Sequence, residues 1–339
     1  MREDGDGFQG IREGEQSVRR KRELEGFTPS VVFLANMFMD PGRPSQAMEI
    51  SLSTHLFLHR ELDESILALF PKFGFASVEL WAMPPHFPYR DGTASDRIAS
   101  RLARYGIRVR SLHAPLYPDV RTYKKDRWYS LSSEDESHRG ESVGAVAAAG
   151  GWLSRHGGGT LVLHTGFPAG KWLAGRWAAF LGSLNELLDT VPENVRLAVE
   201  NSPVSTGNVE VVMDIAARYP ADRVGVCLDL GHAHIEGDVR GAIRRSSPRL
   251  IHVHASDNHG ERDDHLVPGR GGIPWEKAFS DLRDIGFPGP FTVELRDYTR
   301  VENPPYAGFE EMLAECRAAL TRYEGAGGRD RAWMNGQSG

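Results

Sequence analysis

The sequence predicts a single closed (β/α)8 barrel behind an N-terminal extension. Three observations predict it. Eight β-rich runs alternate with helical patterns between residues 48 and 323. Those units span about 275 residues, close to the roughly 250 that such a barrel typically needs. Six of the eight runs end on an ionisable side chain, which is where a barrel of this kind carries its chemistry. Regular strand–helix alternation calls for parallel strands joined by crossover helices. An open doubly wound sheet is the rival, but no Gly-x-Gly-x-x-Gly follows the first strand, so no nucleotide cofactor is expected.

Residues 1–45 read as a flexible tail, because the first 30 are charged and Gly-rich without apolar period and Pro41-Gly42-Arg43-Pro44 breaks the chain again. Met48 makes a natural start for the folded part, with an upstream extension of the reading frame as the plain explanation of the tail. The first strand, 48–53, is followed by a leucine- and phenylalanine-rich helix at 62–70. The strand at 76–81 precedes a helix at 95–105, where Ile98 and Leu102 stand one turn apart. The alanine- and valine-rich helix at 143–155 follows the strand at 108–113, and the helix at 172–188 follows the strand at 160–164. Strands at 195–201, 224–229, 250–255 and 291–295 are rich in Val, Ile, Leu and Phe, and each leads into a periodic segment, at 209–219, 240–245, 275–285 and 310–323. Residues 46–325 form the barrel and 326–339 a C-terminal tail.

Composition narrows the function. With 40% hydrophobic and 25% charged residues, the chain has ordinary globular usage, which excludes a disordered or fibrous protein. A net charge of −6 argues against a non-specific nucleic-acid binder. Cys227 and Cys316 cannot build a disulfide framework and suit a reducing compartment. No apolar run approaches the 18 to 20 or so residues that cross a bilayer. Residues 31–39 behind Arg19-Arg20-Lys21-Arg22 resemble a signal peptide, but they lie late, are cut by Asn36 and lack a small-x-small cleavage site, so a cytoplasmic protein is expected.

The strand ends carry the chemistry. The third strand ends at His113, the fourth at His164, the fifth at Glu200, the sixth at Asp229, the seventh at His254 and the eighth at Glu294. A period of two places Ser111, Val162, Ala198, Cys227, His252 and Thr292 beneath them, mostly small or apolar, as a filled barrel with a reactive mouth requires. Carboxylates converging on one mouth repel and resist ionising without a compensating cation. A divalent metal on Glu200, Asp229, His254 and Glu294 meets that need. The mixed oxygen and nitrogen donors suit Mn²⁺, Mg²⁺, Co²⁺, Fe²⁺ or Zn²⁺. Cys227 points into the lower layer, so thiolate zinc is not expected.

These residues resemble the xylose isomerase-like TIM barrels, which include the sugar phosphate isomerase/epimerase group and endonuclease IV. The resemblance runs from about Met48 to Tyr323, and is most specific in Leu228-Asp229-Leu230-Gly231-His232 and in the stretch Asp263-Asp264-His265-Leu266-Val267-Pro268-Gly269-Arg270-Gly271. It implies a mononuclear site of Glu200, Asp229, His254 and Glu294, as in the isomerases. It also matches the further endonuclease IV ligands at His113, His164, His232, Asp263 and His265, so one, two or three metals remain open. Endonuclease IV has Thr-Cys where this chain has Leu230-Gly231, and Asn-Asp-Ser-Lys where it reads Ala255-Ser256-Asp257-Asn258. The second Glu of ketose 3-epimerases, six residues after the fifth-strand ligand, is Thr206 here.

The resemblance therefore implies a metal-dependent sugar or sugar phosphate isomerase or epimerase, or a related lyase, acting on a sugar, polyol or hydroxy-keto substrate. Proton transfer next to a carbonyl would pass through a metal-stabilised enediolate, with Glu200 and Glu294 as acid and base. His232 would hold a substrate oxygen or a further metal. Endonuclease IV-like cleavage of abasic DNA, or a barrel that binds metal or sugar without turnover, are the alternatives, and a homo-oligomer is compatible with either. Softer substrate-binding candidates are Glu79 and Trp81 at the mouth, and His86 with Phe87 in the next loop. His234 and His259 read as solvated or supporting groups that Asp257 could orient. Arg270 within Gly269-Arg270-Gly271-Gly272 reads equally as an anion cradle or as a turn before the helix that follows Pro274.

Overall fold

The computed structural model describes residues 48–122, 128–166, 174–203 and 207–335. The tail at 1–45 and Thr206 lie outside them. Eight parallel strands close on themselves in chain order: β1 (Ile50–Ser53), β2 (Ser77–Trp81), β3 (Arg108–His113), β4 (Gly159–His164), β5 (Val195–Glu200), β6 (Val224–Asp229), β7 (Leu250–Ala255) and β8 (Phe291–Val293). Around them lie helices α1 (Glu64–Leu67), α2 (Leu69–Lys72), α3 (Gly92–Arg104), α4 (Glu136–Arg155), α5 (Ala174–Thr190), α6 (Val209–Ala217), α7 (Leu230–Ile235), α8 (Val239–Ser246), α9 (Trp275–Asp284) and α10 (Phe309–Asn335). Among the described residues no helix is long and apolar enough to cross a membrane.

Strand parity builds two cores. Outward residues such as Leu112, Leu161, Leu163, Leu197, Val199, Val226, Leu228 and Val253 are fully buried against helix side chains that include Trp152, Phe180, Leu184, Ile215 and Phe279. Inward, Val162, Ala198 and Cys227 fill the lower barrel in a separate cluster. Burying each large apolar side chain contributes about 1.5–3 kcal/mol, so the outer shell carries most of the hydrophobic stabilisation.

Element boundaries depart from the apolar pattern where caps decide them. Helix α4 begins before its first apolar residue, because the Asp135 carboxylate accepts the His138 N–H and satisfies an end that the polar stretch leaves open. Asp91 does the same for α3, and Asp63 for α1. The single helix expected at 62–70 is two short ones, with Pro71 inside the second. Strand β4 starts at Gly159, whose φ of +140° and whose contact with Arg110, where a Cβ would sit 2.5 Å from the carbonyl oxygen, admit only glycine. Helix α10 continues well past residue 323.

Register then sets the site. β4 and β5 pair His164 with Glu200, β6 and β7 pair Asp229 with His254, and β2 and β3 pair Trp81 with His113. The register shifts between Val78 and Glu79 and again between Val226 and Cys227. Irregularities of this kind re-aim the side chains that follow them.

Candidate metal centre

Glu200, Asp229, His254 and Glu294 leave the ends of β5 to β8 and meet at the mouth, all of them buried. One ligand atom from each lies within 4.8 Å of the other three. His254 Nδ1 is 2.9 Å from Glu200 Oε1 and 3.6 Å from Glu294 Oε2. Asp229 Oδ2 is buried without a hydrogen-bond partner, and Glu200 Oε2 has none of good geometry although His164 Nε2 lies 3.0 Å away. Orphaned carboxylate oxygens in a dry site are costly unless a cation meets them. The donor set therefore fits a divalent ion.

Two further clusters flank this one. His113 Nε2 and His164 Nε2 stand 3.2 Å apart, at 3.6 and 3.0 Å from Glu200 Oε2. On the other side Asp263 Oδ2 lies 3.3 Å from His232 Nε2 and 2.9 Å from His265 Nε2. Backbone carbonyls set the tautomers. His113 Nδ1 donates to Ala114 O, His232 Nδ1 to Asn201 O and His265 Nδ1 to Glu294 O, which leaves each Nε2 lone pair facing its cluster. His265 adopts a φ of +50°, a strained conformation for this residue that places its ring beside Asp263.

The local fold explains why Asp229 and His232 act together. Asp229 is the N-cap of α7, with Oδ1 accepting the His232 N–H at 2.7 Å. One carboxylate oxygen therefore starts the helix while the other stays open to the site. The apolar pattern around 228–232 does not reveal this helix, because its first turn is packed on all sides rather than amphipathic. Asn201 is a residue that sequence reasoning missed. Its side chain clamps the Asp229 backbone, accepting the N–H at 2.7 Å and donating to the carbonyl at 3.2 Å. The Glu-Asn pair at the end of β5 was the available signal.

Glu79 belongs beneath the mouth rather than in it. It is fully buried in the middle of β2, accepts from Ser111 Oγ (2.9 Å) and Ser53 Oγ (3.3 Å), and faces His252 Nε2 at 3.0 Å and His254 Nε2 at 3.1 Å. It thereby fixes the far nitrogen of His254 and turns Nδ1 toward Glu200. Trp81 does reach the site: Nε1 donates to Glu294 Oε1 at 2.8 Å and its ring stacks on His113. Cys227 lies within ligand reach of His252 and His254, but burial pushes its thiol well above the usual range, which disfavours a thiolate ligand.

Two candidates are not brought to the site. His86 is buried with Nδ1 on the Arg60 carbonyl, and burial pulls it down to about 4, so it is a neutral packing residue. Arg270 is tied to Glu315 at 2.5 and 2.7 Å and lies over Tyr306. The Gly269 and Gly272 N–H groups serve Asp257 and the Asn258 carbonyl, so that loop is a turn and not an anion cradle. Asp257 also accepts from Ile273 N and Trp275 Nε1 rather than orienting a histidine, and Asn258 holds His234.

Without metal the clusters hold protons. Burial pulls His265 down, but the Asp263 carboxylate outweighs it and raises the group to about 10. His254 and His232 are also raised well above 6.5, burial being overcome by Asp229 and Asp263 for His232 and by the surrounding glutamates for His254. An unfolded histidine loses its proton near 6.5, so the His265 pair contributes stability fully present below that pH and lost as pH rises through about 10. The melting temperature of chelator-treated protein should accordingly fall between pH 7 and 10, and His265→Gln should flatten that fall. A melting temperature unchanged across the range would contradict the pairing.

The comparisons with known proteins follow the same geometry. The chain is 25% identical over 266 residues to fructoselysine 3-epimerase of Escherichia coli O157:H7, covering 75% of this chain and 92% of that protein. Among solved structures it resembles an L-ribulose 3-epimerase, with a TM-score of 0.67 at 17% identity over 86% of this chain and 99% of the other. It also resembles the IOLI protein solved with a zinc atom, with a TM-score of 0.63 at 20% identity over 81% and 96% of the two chains. At these identities the structures speak for the fold, which is that of sugar isomerases and epimerases with clusters able to chelate a divalent metal. A match to the family itself spans residues 67–318, and with the closed eight-stranded barrel it shows that the chain belongs to the xylose isomerase-like TIM barrel family.

Proposed function

We propose that this protein is a divalent-metal-dependent isomerase or epimerase that moves a proton on a carbon next to a carbonyl of a sugar, polyol or hydroxy-keto substrate. The observation that carries the reading is the buried set of Glu200, Asp229, His254 and Glu294 with its orphaned carboxylate oxygens. A divalent ion held there supplies Lewis-acid stabilisation of negative charge developing on substrate oxygens. Glu200 and Glu294 both approach His254 Nδ1, at 2.9 and 3.6 Å, and would take a proton from a substrate and return it to another position or face. Trp81 Nε1 orients the Glu294 carboxylate, and the buried mouth excludes bulk water from the proton's path. His232 is placed to hold a substrate hydroxyl through Nε2.

A second reading has its own observation. The His113–His164–Glu200 cluster could hold a further ion, and His232 and His265, which both meet Asp263, offer donors for another, which would suit endonuclease IV-like phosphodiester hydrolysis. Elemental analysis of unchelated protein separates the two, together with deuterium incorporation from solvent into a panel of ketoses and nicking of an abasic duplex. About one ion per chain, exchange into at least one ketose and no nicking are expected. Three ions with nicking that is lost in His113→Ala and His164→Ala would reverse the ranking.

A further inference from the structure

The structure assigns a second element of the substrate site: an oxyanion-binding pocket between the ends of β1 and β8, formed by Arg296 and Arg300 with His59, with His55 lining its side toward the metal cluster. We infer that it receives a phosphate or carboxylate at the end of the substrate remote from the reacting carbonyl. The inference rests on the proposed function for the position of that carbonyl.

The pocket is a cavity of about 290 Å³ whose lining includes His55, His59, Arg296, Asp297 and Arg300. Arg296 stands two residues beyond Glu294, and its N–H is fixed by the carbonyl of His265 at 3.1 Å. His55 stands two residues beyond Ser53, whose hydroxyl donates to Glu294 Oε1 and Glu79. His55 links the pocket to the site. Its ring lies 4.5 Å from that of Trp81 and 5.0 Å from that of His265, and its Nδ1 donates to the Leu295 carbonyl at 3.0 Å. His55 thus belongs to the pocket's lining and also lies beside the Trp81 ring, whose indole N–H meets Glu294.

Charge indicates what the pocket takes. Arginines elsewhere in the described structure are commonly tied to carboxylates, as Arg104 is to Glu64 and Arg270 to Glu315. Among the described residues no carboxylate lies within salt-bridge distance of Arg296 or Arg300, and Arg296 lies instead over the Tyr298 ring. The one carboxylate in the lining, Asp297, already accepts from the Thr299 N–H and hydroxyl and caps the short turn Tyr298–Arg300. Two arginines, whose guanidinium groups carry planar donor arrays suited to phosphate and carboxylate, therefore line a cavity beside an acidic site. They would also offset the repulsion that Glu200, Asp229 and Glu294 exert on an anionic substrate.

The test uses protein loaded with Mn²⁺, inorganic phosphate and acetate as probes, and the variant Arg296→Gln/Arg300→Gln, whose two positions are exposed and outside the metal clusters. Paramagnetic relaxation of the ³¹P and ¹³C signals reports anion binding near the ion, while the electron spin resonance of free Mn²⁺ reports metal uptake. The expected result is saturable anion binding that the variant weakens by roughly 10- to 100-fold, with Mn²⁺ uptake unaltered. Dependence on the arginines for phosphate alone identifies a phosphorylated substrate, and dependence for acetate alone or for both identifies a carboxylate as accepted. Equal binding by wild type and variant would place the anion on the metal and overturn the inference, as would no saturable binding by the wild type. If Mn²⁺ fails to bind, the proposed function fails instead, and calorimetric titration of phosphate into the metal-free pair of proteins decides the pocket by the same comparison.

Discussion

Replacing Glu294 with Gln should leave a protein that still takes up its divalent metal and yet exchanges substrate protons about 10²- to 10⁴-fold more slowly. Three ligands remain on β5, β6 and β7, so the ion is held, though more weakly. What disappears is a carboxylate able to carry a proton. In the native site the Trp81 indole N–H and the Ser53 hydroxyl both address Glu294 Oε1, which leaves Oε2 as the oxygen directed toward His254 and the metal cluster. The Trp81 donor orients the Gln oxygen in the same way and leaves the amide N–H₂ where the base had been. Deuterium incorporation at the carbon next to the carbonyl, measured with metal content on the same sample, checks this. Wild-type exchange by a metal-loaded Glu294→Gln would move the base elsewhere, with His232 the next residue to substitute.

Replacing Glu79 with Ala should be the most damaging change to stability, at about 3–5 kcal/mol, the usual cost of removing one partner from a buried ionic network. The side chain is fully buried, and its loss strands the Ser111 hydroxyl and the far nitrogens of His252 and His254 in a dry interior. His254 charge holds the Glu79 carboxyl well below the usual range against burial, which identifies the ionised form as the native partner. Metal affinity should also fall about 10- to 100-fold, because an outer carboxylate that fixes a ligating histidine commonly contributes that much. Thermal unfolding and competitive metal titration measure the two effects separately. Glu79→Gln, which preserves shape and the serine hydrogen bonds, should recover much of the stability but little of the affinity. Recovery of both would reduce Glu79 to a space-filling role.

The difference between those two glutamates shows how far a one-dimensional reading reaches. Glu294 closes a strand-end series, His113 to Glu294, whose inward direction follows from alternation along each strand. The same alternation places Ser111, Val162, Ala198, Cys227, His252 and Thr292 in the layer below, and all six are buried there. Glu79 lies in the middle of its strand and meets His254 across 175 residues of chain, after a register shift at Val78 that no local pattern announces. Trp81 likewise finds Glu294 across 213 residues.

The chain by itself determined the barrel, the order of its strands and the residues presented at their C-terminal ends, because periods of two and of 3.6 are properties of neighbouring residues. Only the tertiary structure decided which of those ends converge, that Asp229 caps α7 with the oxygen it does not offer to the site, that Asn201 clamps its backbone, and that Arg270 is held by Glu315 while Arg296 lines a cavity. Each of these depends on register, on strand irregularity or on a loop's return across the mouth. The physical reason is that a hydrogen bond or ion pair between distant segments requires closure of the whole barrel, and its partners carry no mark of one another in the sequence between them.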